Sequence, residues 1–292
     1  MRLSGWPLWM AEPEADRHLL LRAAAAELPG DTPRLDAELL LAHVLGEDRL
    51  AVLVGRAPVG PQAQARFAVL LARRRVHEPV AHILGEREFW SLPIRVTPDV
   101  LVPRPDSETL IAEALRHFAG RPPARMLDLG TGSGALLLAA LSEWPQATGL
   151  GIDRSDAALA VARDNAARLG MGARAAFRRG DWVDGLDERF DLILCNPPYI
   201  PDGTPLMPDV ARYEPAGALF GGADGLDPYR LLLPEVARLV QPGGVALFEF
   251  GEGQADVLVA MALDLGHAAR TVADLAGLLR VLVIAAPLGK QG

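Results

Sequence analysis

Lysine is nearly absent from this chain: of its 29 basic residues 28 are arginine, and Lys290 is the only lysine. Glycine, proline and alanine are abundant beside it, so the arginine excess reads as a GC-rich coding bias rather than a phosphate-binding set. Cysteine occurs once, at Cys195, which excludes a disulfide within the chain and suits a reducing compartment. The six histidines (18, 43, 77, 82, 117 and 267) are scattered, none at a metal-ligand spacing from another His or from Cys, and no metal is expected. No uncharged apolar run approaches the roughly 20 residues that span a bilayer. The stretch MRLSGWPLWMAEPEADRH has too short an apolar run for a secretory signal and soon turns acidic. These absences lead to the expectation of a soluble, cytoplasmic protein with no membrane partner. An excess of positive charge is missing as well. The net charge is −8 and the pI about 5.3, whereas a dedicated nucleic-acid binder usually carries a basic patch. There is no internal repeat and no low-complexity tract.

What is present is apolar: 50% of 292 residues, enough for one large domain or two smaller ones. Residues 1–85 carry helical signals only. The expected helices are 13–28, ended by Pro29-Gly30; one opened by Thr32-Pro33 and closed by Gly46; 48–54; one from Pro61 to about His77; and a short one in PVAHILG that stops at Gly85. Arg73-Arg74-Arg75 near a helix C-terminus complements the helix dipole. In PIRVTPDVLVPRP, Ile94 and Val96 alternate with polar neighbours. Val100 and Val102 follow after Thr97-Pro98-Asp99, which predicts a hairpin turning at 97–99. The expected organisation is therefore a helical bundle over 1–85, a hairpin linker over 86–105 and a larger domain over 106–292.

From residue 106 strands and helices alternate. Helix 107–118 precedes strand 125–129, helix 134–142, strand 147–152, helix 156–169 and strands 174–178 and 190–195. Helix 227–240, strand 245–250, helix 253–265 and a strand near 279–285 complete the set. This pattern predicts an α/β fold with a mostly parallel sheet covered by helices on both faces, its ligands at the carboxyl ends of the strands.

Four such ends carry chemistry. The first is LDLGTGSGAL, where Gly130, Gly132 and Gly134 sit between a strand and a helix; glycines there let a ligand approach the backbone and expose amides at a helix N-terminus. The turn also fits a dinucleotide fingerprint. Asp153 ends the next strand, 23 residues beyond Gly130, and can accept from both ribose hydroxyls of an adenosine or cap the following helix, a role open to Ser155 as well. Asp181-Trp182 can hold and stack an adenine ring, or Trp182 can be a core residue. No second basic group is placed to hold a diphosphate, which favours S-adenosylmethionine over a dinucleotide. The fourth end is CNPPYI. There the Asn196 side-chain oxygen and the Pro197 carbonyl can converge on one planar NH₂ group, each accepting one hydrogen, while Tyr199 offers a flat face. Such acceptors suit a nitrogen with a delocalised lone pair, which needs positioning and charge stabilisation more than a strong base. Cys195 has no His or acid placed to activate it and reads as a small buried residue.

Taken in order, HEPVAHILGEREFW (77–90), VLVPRPDSETL (100–110), LDLGTGSGAL (127–136), GDW (180–182), CNPPYI (195–200), EPAGAL (214–219) and ADGLDPYR (223–230) resemble the peptide-chain release factor glutamine methyltransferases, the PrmC/HemK family. The resemblance covers nearly the whole chain. It implies a helical N-terminal domain that recognises the substrate protein, a hairpin linker, and a Rossmann-like class I methyltransferase domain. The cofactor would be S-adenosylmethionine, leaving as S-adenosylhomocysteine. The substrate would be the glutamine of the Gly-Gly-Gln motif of class I release factors, methylated on its side-chain amide nitrogen. Carried over by position, Gly130, Thr131, Gly132, Ser133, Gly134, Asp153, Trp182 and Asn196 would contact the cofactor. Asn196, Pro197, Pro198 and Tyr199 would hold the glutamine, with Asn196 and Pro197 as the catalytic acceptors. A monomer with no direct nucleic-acid partner is expected. Cys195 stands where Ser is common, His82 where Tyr is common, and Phe89-Trp90-Ser91 lacks a frequent glycine; residues 1–20 fit least and read as a loose extension. The alternative that shares the planar-NH₂ logic is a methyltransferase acting on an exocyclic amino group of DNA or RNA, which would need phosphate contacts. A non-catalytic cofactor-binding scaffold leaves the acceptors idle, and a nicotinamide oxidoreductase leaves Asn-Pro-Pro-Tyr unexplained.

Overall fold

Prolines, glycines and short polar caps punctuate the first third of the chain, and its helices begin and end on them. A computed structural model describes residues 14–286. It divides into two units, the smaller running to Gly85 and including Met207–Tyr213, the larger made of Glu86–Leu206 and Glu214 onward. In the smaller unit α1 (Arg17–Ala25) is capped by Asp16, whose carboxylate accepts from Leu19 N at 2.9 Å. Next, α2 (Pro33–Leu45) has proline in its first turn and ends at Gly46 in the left-handed region (φ 67°). Asp48 caps α3 (Arg49–Val54) through Ala51 N at 2.7 Å; α4 (Pro61–Arg75) and α5 (Val80–Leu84) follow. Leu20, Leu21, Leu40, Leu41, Phe67 and Leu71 form its core. Fully burying one such side chain contributes roughly 1.5–3 kcal/mol.

The arginine run at the end of α4 does more than face a dipole. Arg73 pairs with Glu78, Arg74 with Asp36 at 2.7 Å, and Arg75 with Glu27. Of the expected loose extension at 1–20, residues 1–13 lie outside the described residues. The rest is tied down: Ala15 bridges to Val59, and the buried Arg17 donates to both Glu47 oxygens at 2.6 and 2.9 Å.

The larger unit opens with a hairpin, but not the expected one. Its strands are β1 (Glu86–Phe89) and β2 (Leu92–Arg95), turning at Trp90-Ser91. Both turn residues have positive φ (51° and 60°), as a two-residue hairpin turn requires. The usual Asn or Gly signal is missing there, so the sequence points instead to Thr97-Pro98-Asp99, which lies beyond the hairpin. Glu108 accepts from Trp90 N at 2.8 Å and Glu88 from Ser91 N at 2.6 Å, which holds the turn.

After a 3₁₀ turn at Pro105–Ser107 come α6 (Glu108–His117), β3 (Arg125–Leu129), α7 (Ala135–Glu143), β4 (Thr148–Asp153), α8 (Asp156–Arg168), β5 (Ala175–Arg179) and β6 (Phe190–Cys195). The short α9 (Pro208–Tyr213) belongs to the smaller unit, where Tyr213 Oη donates to Val76 O at 3.0 Å. The expected helix 227–240 is broken. Pro234 interrupts it into α10 (Asp227–Leu232), a 3₁₀ turn and α11 (Val236–Leu239), because proline lacks the amide a continuous helix needs. Then follow β7 (Val240–Glu249), α12 (Ala255–Asp264), β8 (Ala269–Ala273) and β9 (Leu279–Ala285).

Seven of these strands form one sheet in the order β5-β4-β3-β6-β7-β9-β8, parallel except for β9. Along β3 and β6, Leu127, Leu129, Ile193 and Cys195 bury on one face with Tyr229, Leu232 and Leu258 of α10 and α12. The alternate residues Met126, Leu192 and Leu194 are equally buried on the other face, where α6 and α7 pack. Both faces are thus covered, which is why apolar residues stand on both faces of these strands rather than in strict alternation with polar ones. The chain runs outward from β3 to β5 and then returns to the other side of β3 as β6. The gap between β3 and β6 is therefore the topological switch point where ligands bind in such sheets.

Candidate active site

A cavity of about 540 Å³ opens at the carboxyl ends of β3, β4 and β6. That volume suits a ligand of nucleoside size with room for a small side chain. Gly130, Thr131, Gly132 and Ser133 form one wall, Asp153 and Trp182 stand beside them, and Asn196 and Pro198 come from the end of β6.

The glycine turn is held from below. Gly130, Gly132 and Gly134 all have positive φ (69°, 53° and 80°), a conformation other residues rarely adopt. Thr131 N donates to Ile152 O at 2.9 Å, and Thr131 Oγ1 to Asp128 Oδ2 at 2.6 Å. Burial pushes the Asp128 carboxyl up to about 7, the Thr131 and Leu137 bonds holding it down and Asp153 adding to the rise. Its other oxygen, Oδ1, has no hydrogen-bond partner among the described residues. Gly151 of β4 leaves room for this arrangement: a Cβ there would stand 2.8 Å from Thr131 Oγ1 and 2.7 Å from Phe177. Gly134 is the N-cap of α7, and the side-chain amide of the fully buried Asn165 donates to Ser133 O at 2.9 Å.

Asp153 receives Gly132 N on one oxygen at 3.0 Å and Ser155 N on the other at 2.9 Å. Each oxygen keeps acceptor capacity toward the cavity. Ser155 caps α8 through Ala158 N at 3.2 Å, so Asp153 is not needed for that role. Trp182 faces both the cavity and the core. It lines the cavity 3.4 Å from where a Cβ on Gly130 would be, and it packs on the core beneath the sheet. Its φ is 51°, unusual for a bulky residue and a mark of local constraint.

At the end of β6 the four motif residues part ways. Asn196 lines the cavity, its Nδ2 donating to Ser107 Oγ at 3.1 Å; Pro198 lines it too. Pro197 is buried, and neither it nor Tyr199 is among the lining residues. The Tyr199 ring packs near Gly251, its hydroxyl donates to Glu249 Oε1 at 3.3 Å, and its carbonyl accepts from Gln254 at 3.0 Å. Burial, the first cause, and the Glu249 charge push its phenol well above the usual range.

Ser107, Arg104 and Glu249 did not emerge from the sequence as site residues. Arg104 lines the cavity and donates to both oxygens of the buried Glu214, at 2.7 and 2.8 Å. Nothing in spacing links residue 107 to residue 196. Glu249 did leave a trace, as a lone carboxylate in the apolar run VALFEF. Among the described residues no group of three or more His, Cys, Asp or Glu is placed to hold a metal ion, and no helix is long and apolar enough to cross a membrane.

A family model described as the PrmC N-terminal domain matches residues 19–85, and one described as a methyltransferase domain matches residues 122–261. Among solved structures, the hMettl16 catalytic domain in complex with MAT2A 3′UTR hairpin 6 aligns with a TM-score of 0.56 at 13% identity, over 70% of this chain and 81% of that one. At that identity the likeness concerns the fold alone, a class I methyltransferase. Closer relatives share far more. The release factor glutamine methyltransferase of Rhodospirillum rubrum is 51% identical over 229 residues, 77% of this chain and 70% of that protein. That of Caulobacter vibrioides is 44% identical over 84% of this chain and 86% of its own length. For the protein of the same name from Bradyrhizobium diazoefficiens, 43% identity runs over 92% of both sequences. An identity of that size over nine-tenths of both sequences, with the helical region matched as well, makes the chain a member of the release factor glutamine methyltransferase family.

Proposed function

We propose that this protein transfers the methyl group of S-adenosylmethionine to the side-chain amide nitrogen of the glutamine in the Gly-Gly-Gln motif of class I peptide-chain release factors. The observation that carries the reading is the placement of Asn196. Its amide nitrogen is engaged by Ser107, and the residue stands in the same cavity wall as the glycine turn.

The cavity residues fit the cofactor. A turn of three glycines with positive φ lies against an indole, beside a carboxylate with spare acceptor capacity. Gly130 to Gly134 would hold the amino-acid portion, Asp153 the ribose hydroxyls and Trp182 the adenine. When bound, S-adenosylmethionine supplies an electrophilic methyl on sulfonium. The chain's own residues do the rest. With Nδ2 occupied, Asn196 Oδ1 is the end available to accept one N–H of the substrate amide. We assign the second acceptor to the adjoining Pro197 carbonyl, since Pro197 and Pro198 carry no amide hydrogen that competes for it locally. Two acceptors on one NH₂ fix its plane, aim the nitrogen lone pair, and stabilise the positive charge that develops there. Tyr199 supports the motif from behind. The helical unit, with the segment 207–213, would recognise the release factor. The substrate is a translation factor, which sets the cytoplasm as the place of action; a monomer without nucleic acid suffices.

The test is transfer of labelled methyl to a purified class I release factor, beside its Gln→Ala variant and a DNA and RNA pool. Label on the unmodified factor alone is the expected result. Label on nucleic acid and none on protein would overturn the reading in favour of an exocyclic amino substrate.

A further inference from the structure

In the run VALFEF one glutamate interrupts apolar residues. It becomes Glu249, the last residue of β7, 1% exposed, and the transfer as derived so far makes no use of it. Burying a carboxylate is costly unless its neighbours compensate. Tyr199 Oη donates to Oε1 at 3.3 Å, the Ser107 hydroxyl stands beside the same carboxyl, and Oε2 has no hydrogen-bond partner among the described residues. Ser107 Oγ in turn accepts from Asn196 Nδ2 at 3.1 Å. A serine hydroxyl has a single hydrogen. While its oxygen accepts from Asn196, that hydrogen needs another acceptor, and the Glu249 carboxylate is the one at hand.

We propose that Glu249 is a positioning residue for methyl transfer: ionised, it takes the Ser107 hydrogen, so that Ser107 accepts from Asn196 and fixes the amide with its oxygen toward the substrate. The proposal rests on the glutamine-methylating reading. Protonation of Glu249 on the oxygen that faces Ser107 reverses the chain of bonds. The carboxyl then donates to Ser107, the serine hydrogen turns to Asn196, and the amide must offer Oδ1 inward and NH₂ to the cavity. A donor then faces the substrate's own donors, and the first acceptor is lost. The group is poised for this. Burial pushes its carboxyl up to about 7, with Asp106 acting in the same direction and Ser107, Tyr199 and Arg280 opposing. The other titratable neighbours are Cys195, Tyr199 and Tyr229. Burial raises all three above their ordinary values, so they stay neutral while Glu249 titrates.

Full-length wild type, Glu249→Gln and Ser107→Ala would be assayed on a release factor from about pH 5.5 to about pH 8.5. The side-chain amide of Asn196 would be followed in parallel by ¹⁵N NMR, its signal assigned by its loss in Asn196→Ala. In wild type, kcat should rise through about 7 and level off, and the Asn196 NH₂ signal should shift with the same midpoint. In Glu249→Gln kcat should fall roughly 10- to 100-fold, with KM for S-adenosylmethionine unchanged and the acid limb gone. Ser107→Ala, which cuts the chain between the two groups, should abolish the limb and the NMR shift. A Glu249→Gln enzyme with wild-type kcat, or one that keeps the acid limb, would overturn the proposal. If wild type labels no release factor at any pH, the parent reading fails instead. The NMR titration then decides the orientation of Asn196 by itself, a signal that does not move with pH counting against it.

Discussion

Asn196 and Asp153 reach the cavity from the ends of β6 and β4, on either side of β3, and substitution should separate their roles. Asn196→Ala removes an acceptor aimed at the reacting nitrogen while leaving the sheet intact. Turnover should fall by roughly 10²- to 10³-fold, with the melting curve close to wild type; full activity in a folded variant would remove the acceptor role. Asp153→Ala removes two backbone partners and the acceptors expected for the ribose. Calorimetry should show S-adenosylmethionine binding weakened at least about 10-fold, and an unchanged Kd would take Asp153 out of the site. Both residues were legible in the sequence because each follows directly on an apolar strand, where a polar residue has no packing reason to be. Ser107 was not. Its bond to Asn196 spans 89 residues, and a serine near a helix start reads as a local cap.

At the scale of elements, the strands that flank the switch point were the most legible. Apolar residues at successive positions gave β3 and β6 their full observed limits, since both faces of a central parallel strand are buried. β8 was missed for the opposite reason: Ala269–Ala273 is an edge strand with no fully buried residue, and its composition carries no core signal. The hairpin was expected but displaced, because Trp90 and Ser91 adopt the turn without glycine or asparagine. What locks that hairpin is Asn165 of α8. It accepts from Arg95 N at 2.8 Å and donates to Arg95 O at 3.0 Å while also holding Ser133 of the glycine turn. Asn165→Ala leaves three backbone groups unpaired, the buried Ser133 carbonyl and the part-buried amide and carbonyl of Arg95. It should lower stability by about 3 kcal/mol, read as a fall in Tm and in the denaturant midpoint. A loss within error would mean water replaces the amide.

For the whole molecule, two buried carboxyls set how stability responds to pH. Asp128 and Glu249 are both pushed up to about 7 in the folded chain, above their ordinary carboxylate values. Between those ordinary values and about 7 the folded protein therefore binds more protons than the unfolded one. Their burial costs stability at neutral pH and costs less as pH falls, on the order of a few kcal/mol between them. The net charge of −8 also shrinks in that direction. Thermal scans should show Tm rising from pH 8 toward about pH 5 and turning down only at lower pH, where Glu38 and Glu47, held below the usual range, become protonated. Asp128→Asn should flatten the rise; a Tm that falls steadily from neutral pH would refute it. The unit boundary has a consequence of another kind. The smaller unit draws its last segment, Met207–Tyr213, from far beyond its other helices, with α9 anchored through Tyr213 on Val76. During synthesis the ribosome must therefore release more than a hundred further residues, through β6 and Asn-Pro-Pro-Tyr, before the first-made unit has all its parts. A gene cut after residue 85 would yield a helical fragment with an open seam where α9 belongs.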